Sequence, residues 1–131
     1  MAQRDRPRIE GQHGWLMVDG TRYEHDIVIH IDGAISERNC GCSPELRSQL
    51  SNVYLKDFFH APLTEWELDF LQDERPEVVI IGAGFKGMLP LTPKAKDILA
   101  RYEHRVLSTP QAIEVLNAEG RRFVAILHST C

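Results

Sequence analysis

Residues 82–87 carry the spacing that most directly suggests chemistry. They read G-A-G-F-K-G after the apolar run 78–81, and G-x-G-x-x-G after a strand is the fingerprint of dinucleotide-binding folds. In that fingerprint a helix begins at the last glycine, and an acidic residue about 20 positions later holds a ribose. Here Pro90 and Pro93 delay the helix, and the next predicted strand is followed by Ser108 rather than by a carboxylate. The sequence therefore predicts a loop at this place, not a dinucleotide site.

The elements around this loop predict where it lies. Apolar runs predict strands at 78–81, 104–107 and 123–127, and helices that open at Thr92 and Thr109 separate them. Such β-α-β-α-β crossovers make the strands parallel, so their C-terminal ends meet at one sheet edge, where open α/β sheets bind ligands. Helix N-termini at that edge favour a small anion such as phosphate or carboxylate. The residues predicted to line the crevice are Gly82, Gly84, Lys86, Thr109 and His128.

A plainer interpretation of the same residues stays open. The glycines can serve only to permit a tight turn, while Thr92 and Thr109 cap helices. Arg121 and Asn117 are explained in the same way by the helix end near Gly120.

The first half of the chain predicts antiparallel hairpins. An Asp-Gly pair stands between residues 15–18 and 21–23, and a second pair stands between 27–31 and 34–38. Asp-Gly between extended runs is a strong hairpin signal. Residues 40–62 mix helical spacing with glycine and proline breaks and support no prediction. A capping box at 64–67 then predicts a helix over 64–73.

Composition restricts the class of protein. The chain has 131 residues, a formal charge of −4 and 43% hydrophobic residues, which predicts one soluble globular domain over residues 9–131. The acidic balance argues against nucleic acid, and no apolar stretch approaches the roughly 20 residues that span a bilayer. The arginines at 4, 6 and 8 belong to a predicted flexible tail, residues 1–8. A cytoplasmic location is the expectation.

Metal binding and nucleophilic catalysis are the sharper alternatives. Cys40 and Cys42 are separated by one residue, which is poor zinc spacing. His60, His128 and Cys131 could complete a ligand set with them, but nothing in the sequence brings these segments together. We therefore predict neither a metal nor another cofactor.

A nucleophile at Ser129 or Cys131 with His128 as base has suitable residue types. Adjacent residues of a strand point to opposite faces, however, so His128 and Ser129 are not expected to pair. No catalytic residues are predicted.

Several motifs together resemble the Mth938-like family of small proteins. The resemblance covers roughly residues 9–131, and Cys40-Gly41-Cys42 is not part of its pattern. The family implies an α/β, three-layer fold in which a mixed central sheet combines N-terminal antiparallel hairpins with the C-terminal β-α-β-α-β unit. It implies no catalytic residues, and its eukaryotic relatives include an assembly factor for mitochondrial respiratory complex I. The motifs lie at residues 82–84, 91–96, 108–112, 117, 120–121 and 126–131.

Three functions follow as hypotheses. The favoured one is a non-catalytic cytoplasmic protein that acts by binding a protein partner, as an accessory or assembly-type factor, or by forming a homo-oligomer. The second is a module that binds a small anion at the predicted crevice, and the third is an enzyme of unknown reaction. Neither nucleic acid nor a membrane is an expected partner.

Overall fold

A computed structural model describes residues 8–38 and 63–129 of the chain. Within these residues the strands are β1 (Ile9–Gln12), β2 (Trp15–Val18), β3 (Thr21–Tyr23), β4 (Ile27–Ile29), β5 (Ile35–Glu37), β6 (Val78–Gly82), β7 (His104–Leu107) and β8 (Phe123–Leu127). The helical elements are a 3₁₀ helix (Glu65–Leu68), α1 (Leu71–Glu74), α2 (Pro93–Leu99) and α3 (Thr109–Ala118).

The central sheet is mixed, as the sequence predicts. Its strand order is β5-β4-β8-β6-β7. β6 pairs in parallel with both β7 and β8, while β4 pairs antiparallel with β5 and β8. The predicted β-α-β-α-β unit thus supplies the parallel half of the sheet, and the second hairpin supplies the antiparallel half.

The first hairpin belongs to a separate sheet. β2 and β3 join through Asp19 and Gly20, both at positive φ (50° and 88°), the backbone that favours Asp-Gly in two-residue hairpins. β1, which the sequence analysis did not identify, adds a third strand to this sheet. Asn117 holds β1 in place, because its side-chain amide bonds the N–H and the C=O of Ile9, both at 2.9 Å.

Two apolar clusters on opposite faces of the central sheet give the three layers. One face packs with the β1-β2-β3 sheet and α3 through residues such as Leu16, Ile80 and Leu116. The other face packs with the 3₁₀ helix, α1 and α2 through residues such as Leu71 and Leu99. All five residues of β6 are buried, as expected for a strand covered on both faces.

The predicted helix over residues 64–73 differs from the structure. It divides into the 3₁₀ helix and α1, which ends at Arg75 in a left-handed conformation (φ 50°). Leu68 ends the 3₁₀ helix and Leu71 begins α1, and both are buried in the same apolar cluster. Trp66 is 40% exposed. Among the described residues, no helix is long and apolar enough to cross a bilayer.

Candidate functional site

The predicted crevice residues meet at the C-terminal edge of the parallel strands. Gly82 O accepts from His128 N at 2.9 Å, and Gly84 N donates to Thr109 Oγ1 at 2.9 Å. The Thr109 hydroxyl in turn donates to His128 O at 2.7 Å. Lys86 is exposed on the same loop. The topology therefore brings four of the predicted residues into one hydrogen-bonded network.

Several donors of this edge are used within the chain. Gly87 N bonds Gly84 O at 3.0 Å, Thr92 Oγ1 caps α2 through Ala95 N at 3.1 Å, and Ser108 caps α3. Ser108 rather than Thr109 is thus the N-cap of α3, while the Thr109 hydroxyl bonds the loop over residues 82–88, which is called the glycine loop. Binding of an anion by Lys86 and its neighbours stays a prediction.

Replacing Gly82 by alanine is expected to destabilise the fold by about 1–3 kcal/mol. A Cβ at this position would lie 2.8 Å from Leu127 Cδ2 and 3.2 Å from Thr109 Cα, so the Leu127 side chain and the start of α3 would have to shift. Urea denaturation measures the effect. Gly87→Asn is the control, because a Cβ there meets nothing within 4 Å and asparagine tolerates the left-handed conformation. Equal stability of Gly82→Ala and wild type would contradict this packing role.

A group of buried and partly buried polar residues lies beside this edge and is called the Asp26 cluster: Asp26, Arg38, Glu67, His128 and Ser129. The Asp26 carboxylate accepts from His128 Nδ1 (2.7 Å), from Arg38 Nη1 (2.8 Å) and from both N and Oγ of Ser129 (2.9 and 3.0 Å). Burial alone would raise the pKa of Asp26, but these hydrogen bonds, first that from His128, outweigh it and hold the pKa well below its usual range.

Arg38 is the centre of the Asp26 cluster. Its side chain is 3% exposed, and its Nε and Nη2 contact the two oxygens of Glu67 at 2.6 and 3.2 Å. The same Glu67 carboxylate accepts from Thr64 N at 2.8 Å, which is the reach-back bond of the predicted capping box. Burial would lower the pKa of Arg38, but the charge of Glu67 outweighs it and raises this pKa above its ordinary value.

A pocket of about 270 Å³ opens next to the Asp26 cluster and is called the Trp66 pocket. Its apolar walls are Val28, Trp66, Phe70 and Ile126. Its polar walls are His30, Ser36, Arg38 and Glu67. Antiparallel pairing of Val28 with Ser36 and the alternation of strand side chains place these β4 and β5 residues on one face.

Three polar side chains form a chain of hydrogen bonds at the mouth of the Trp66 pocket. His30 Nε2 lies 2.8 Å from Ser36 Oγ, and His30 Nδ1 lies 2.6 Å from Glu74 Oε2. The other Glu74 oxygen accepts from Ile31 N at 2.8 Å, and the His30 ring packs edge-on against Phe70, with centroids 5.2 Å apart. The arrangement is that of a hydroxyl, a base and a carboxylate that orients the base.

Sequence reasoning placed the candidate site at the glycine loop and did not identify this pocket. Asp26, His30 and Ser36 lie in or next to the second predicted hairpin, to which the sequence analysis assigned no function. The alternation of side chains along its two strands, which puts His30 and Ser36 on one face, could have indicated this site. The hypothesis that Ser129 pairs with His128 is not favoured by the structure, since the Ser129 hydroxyl donates to Asp26. Among residues 8–38 and 63–129, no group of three or more potential metal ligands comes together.

Some sequence hypotheses lie outside the described residues. They concern the tail over residues 1–7, metal binding by Cys40, Cys42 and His60, and nucleophilic chemistry at Cys131.

The fold defines an α/β protein with a mixed five-stranded sheet and a separate antiparallel sheet. Residues 10–128 match the family described as "protein of unknown function (DUF498/DUF598)". The chain belongs to this family. The Mth938-like resemblance of the sequence is confirmed, because solved structures of that kind are similar over nearly the whole chain. No curated protein matches the chain.

Three solved structures illustrate the similarity. The conserved hypothetical protein PH1505 from Pyrococcus horikoshii OT3 is 29% identical, with a TM-score of 0.77 over 94% of this chain and 98% of that one. The protein MT938 is 30% identical, with a TM-score of 0.71 over 95% and 99%. A Mth938-like domain from Bordetella pertussis is 26% identical, with a TM-score of 0.50 over 90% and 82%.

Proposed function

We propose that this protein acts by binding a protein partner, as a cytoplasmic accessory or assembly-type factor, and that the Trp66 pocket receives an apolar side chain of that partner. The observation that carries the proposal is the exposure of Trp66. This indole is 40% exposed beside a cavity of about 270 Å³. Tryptophan is enriched among the residues that dominate binding energy at protein interfaces.

The chemistry of the walls supports an apolar guest. Phe70, Val28 and Ile126 form an apolar lining, while the charges of Arg38 and Glu67 already neutralise each other at 2.6 Å. Neither residue therefore offers an unpaired charge to a charged group that enters the pocket. An apolar group would gain roughly 25 cal/mol for each Å² removed from water.

Truncating Trp66 tests the proposal. The tagged protein is used to purify partners from its own host, and the affinity of each partner is then measured with purified components. Trp66→Ala is expected to weaken binding about 30-fold, because a hot-spot residue contributes about 2 kcal/mol or more. Met88→Ala is the matched control, since Met88 is 48% exposed but lies on the glycine loop.

The outcomes separate the two sites. Loss of binding in Trp66→Ala together with normal binding by Met88→Ala supports the pocket. The reverse pattern would assign binding to the glycine loop. Equal binding by both variants and wild type would contradict a role for Trp66.

A further inference from the structure

The hydrogen-bond chain Ser36–His30–Glu74 fixes the protonation pattern that a general base needs. An ionised carboxylate only accepts hydrogen bonds, so the bond of 2.6 Å to Glu74 Oε2 requires that Nδ1 of His30 carry a proton. In the neutral ring Nε2 then has the free lone pair and accepts from the Ser36 hydroxyl at 2.8 Å. The hydroxyl proton thus already points at the atom that would remove it.

Glu74, Ser36 and Phe70 each contact the His30 ring and together fix its orientation. Glu74 is itself anchored by Ile31 N at 2.8 Å, and the edge-on contact with Phe70 limits rotation of the ring. Nucleophile, base and orienting group within hydrogen-bond reach of one another form the signature of nucleophilic catalysis.

His128 also lies next to a carboxylate and a serine, but it does not form the same arrangement as His30. His128 Nδ1 also donates to a carboxylate, that of Asp26, at 2.7 Å. The neighbouring Ser129 hydroxyl, however, donates to Asp26 Oδ1 at 3.0 Å, and Ser129 is buried. Ser36, in contrast, is exposed and lines the Trp66 pocket, so a substrate can reach its oxygen.

We propose that Ser36 is an acyl-transfer nucleophile with His30 as its general base, Glu74 as a positioning residue, and small carboxylic esters or thioesters with an apolar acyl group as substrates. The acyl group occupies the apolar part of the Trp66 pocket, between Trp66 and Phe70. The inference goes beyond the binding role proposed above and rests on it in one respect, namely that the pocket takes an apolar group.

The reaction balances with water as the second substrate. Ser36 Oγ attacks the carbonyl carbon while its proton passes to His30 Nε2. The bond from that carbon to the leaving oxygen or sulfur breaks, and the leaving group takes the proton from His30, so the acyl group remains as an ester on Ser36. Water, deprotonated by His30, then attacks this ester, and His30 returns the proton to Ser36 Oγ as the carboxylic acid leaves.

An alkyl fluorophosphonate tests the nucleophile directly. The serine oxygen forms a bond to phosphorus, fluoride leaves, and intact-mass spectrometry counts the adduct. We expect one adduct per chain, located on Ser36 by peptide mapping and absent in Ser36→Ala. Ser108→Ala is the control serine variant and should label like wild type, because the Ser108 hydroxyl serves as the N-cap of α3 and accepts from Gln111 N at 3.4 Å.

The base and the positioning residue are tested by rates. His30→Ala should label about 100-fold more slowly, and imidazole added to the solution should restore part of the rate, which a purely structural role would not allow. Glu74→Gln should slow labelling while the melting temperature shows that the fold is kept. Wild type should hydrolyse p-nitrophenyl butanoate about tenfold faster than the acetate, and Trp66→Ala should lose this preference.

The inference is contradicted if wild type gains no adduct on Ser36, or if His30→Ala labels at the wild-type rate. Its failure is distinguishable from failure of the binding role. Partner capture that depends on Trp66 without labelling of Ser36 overturns the acyl-transfer inference alone, whereas labelling of Ser36 without such capture overturns the binding proposal alone.

Discussion

Replacing Arg38 by methionine is expected to lower the free energy of unfolding by about 3–5 kcal/mol, because removing one partner of a buried ion pair leaves the other charge uncompensated. The Arg38 side chain is 3% exposed, and its partners Asp26 and Glu67 are 15% and 6% exposed. Methionine fills much of the same volume, so the decrease in the free energy of unfolding would come from the lost charge and hydrogen bonds rather than from a large cavity. Urea denaturation followed by circular dichroism measures it.

The matched control is Arg121→Met. Arg121 also contacts two carboxylates, those of Glu103 at 2.6 Å and Glu119 at 2.8 Å, but its side chain is 41% exposed. Solvent and salt screen such surface pairs, so a much smaller change is expected. Arg38→Lys, which keeps the charge without the planar fork, should fall between wild type and Arg38→Met. Equal effects of the two methionine variants would contradict the structural importance of the Asp26 cluster.

The β-α-β-α-β half of the fold could be predicted because its signals are local. Thr92-Pro93 and Ser108-Thr109-Pro110 mark helix starts within a few residues of the observed ones, Pro93 and Thr109. The fully buried strand β6 is a continuous apolar run in the sequence, which is typical of strands covered on both faces. β1 was not predicted although it pairs locally with β2 across the turn at His13 and Gly14. Ile9 is the single hydrophobic residue of this strand, so the sequence has no alternation of apolar and polar residues there.

The Asp26 cluster and the Trp66 pocket could not be predicted for a different reason. Arg38 meets Asp26 across 12 positions and Glu67 across 29, and His128 meets Asp26 across 102. Each residue type is ordinary by itself, and only strand register and layer packing bring the side chains together. The capping box at Thr64 could be predicted from the sequence, but the salt bridge from its Glu67 to the buried Arg38 could not.

The two parts of the site are connected through one hairpin. Asp26 precedes β4 and Arg38 follows β5, and Arg38 N donates to Asp26 O at 2.9 Å, so the Asp26 cluster closes the open end of this hairpin. His30 lies at its turn end, where His30 N donates to Ala34 O at 2.8 Å, and Ser36 is the middle residue of β5, opposite Val28. Because β4 also pairs with β8, the cluster and the sheet together fix the register that puts Ser36 beside His30. Substitutions in the Asp26 cluster are therefore expected to slow the fluorophosphonate labelling of Ser36, although the substituted residues do not contact Ser36.

Replacing Asp26 by asparagine is expected to lower stability near neutral pH and to flatten its dependence on acid pH. The folded-state pKa of Asp26 lies below its ordinary value of 3.8, so the charged form contributes stability that is fully present above about pH 4 and is lost as the pH falls toward the folded-state pKa. Asparagine carries no charge, and its NH₂ group would face the donors of Arg38 or His128. Because two donors cannot bond each other, the variant should be less stable than wild type near neutral pH. The difference between wild type and Asp26→Asn should therefore shrink as the pH falls from about 5 to about 2.

Chemical denaturation at a series of pH values between about 2 and 7 measures this difference. Asp32→Asn is the control, since Asp32 is a turn residue whose Oδ1 accepts from Ala34 N at 2.9 Å, a bond that an amide oxygen also accepts. Its stability should follow the wild-type profile. A constant gap between wild type and Asp26→Asn over the whole range would contradict the assignment of acid sensitivity to Asp26, because the Asp26 charge would then contribute nothing that protonation removes.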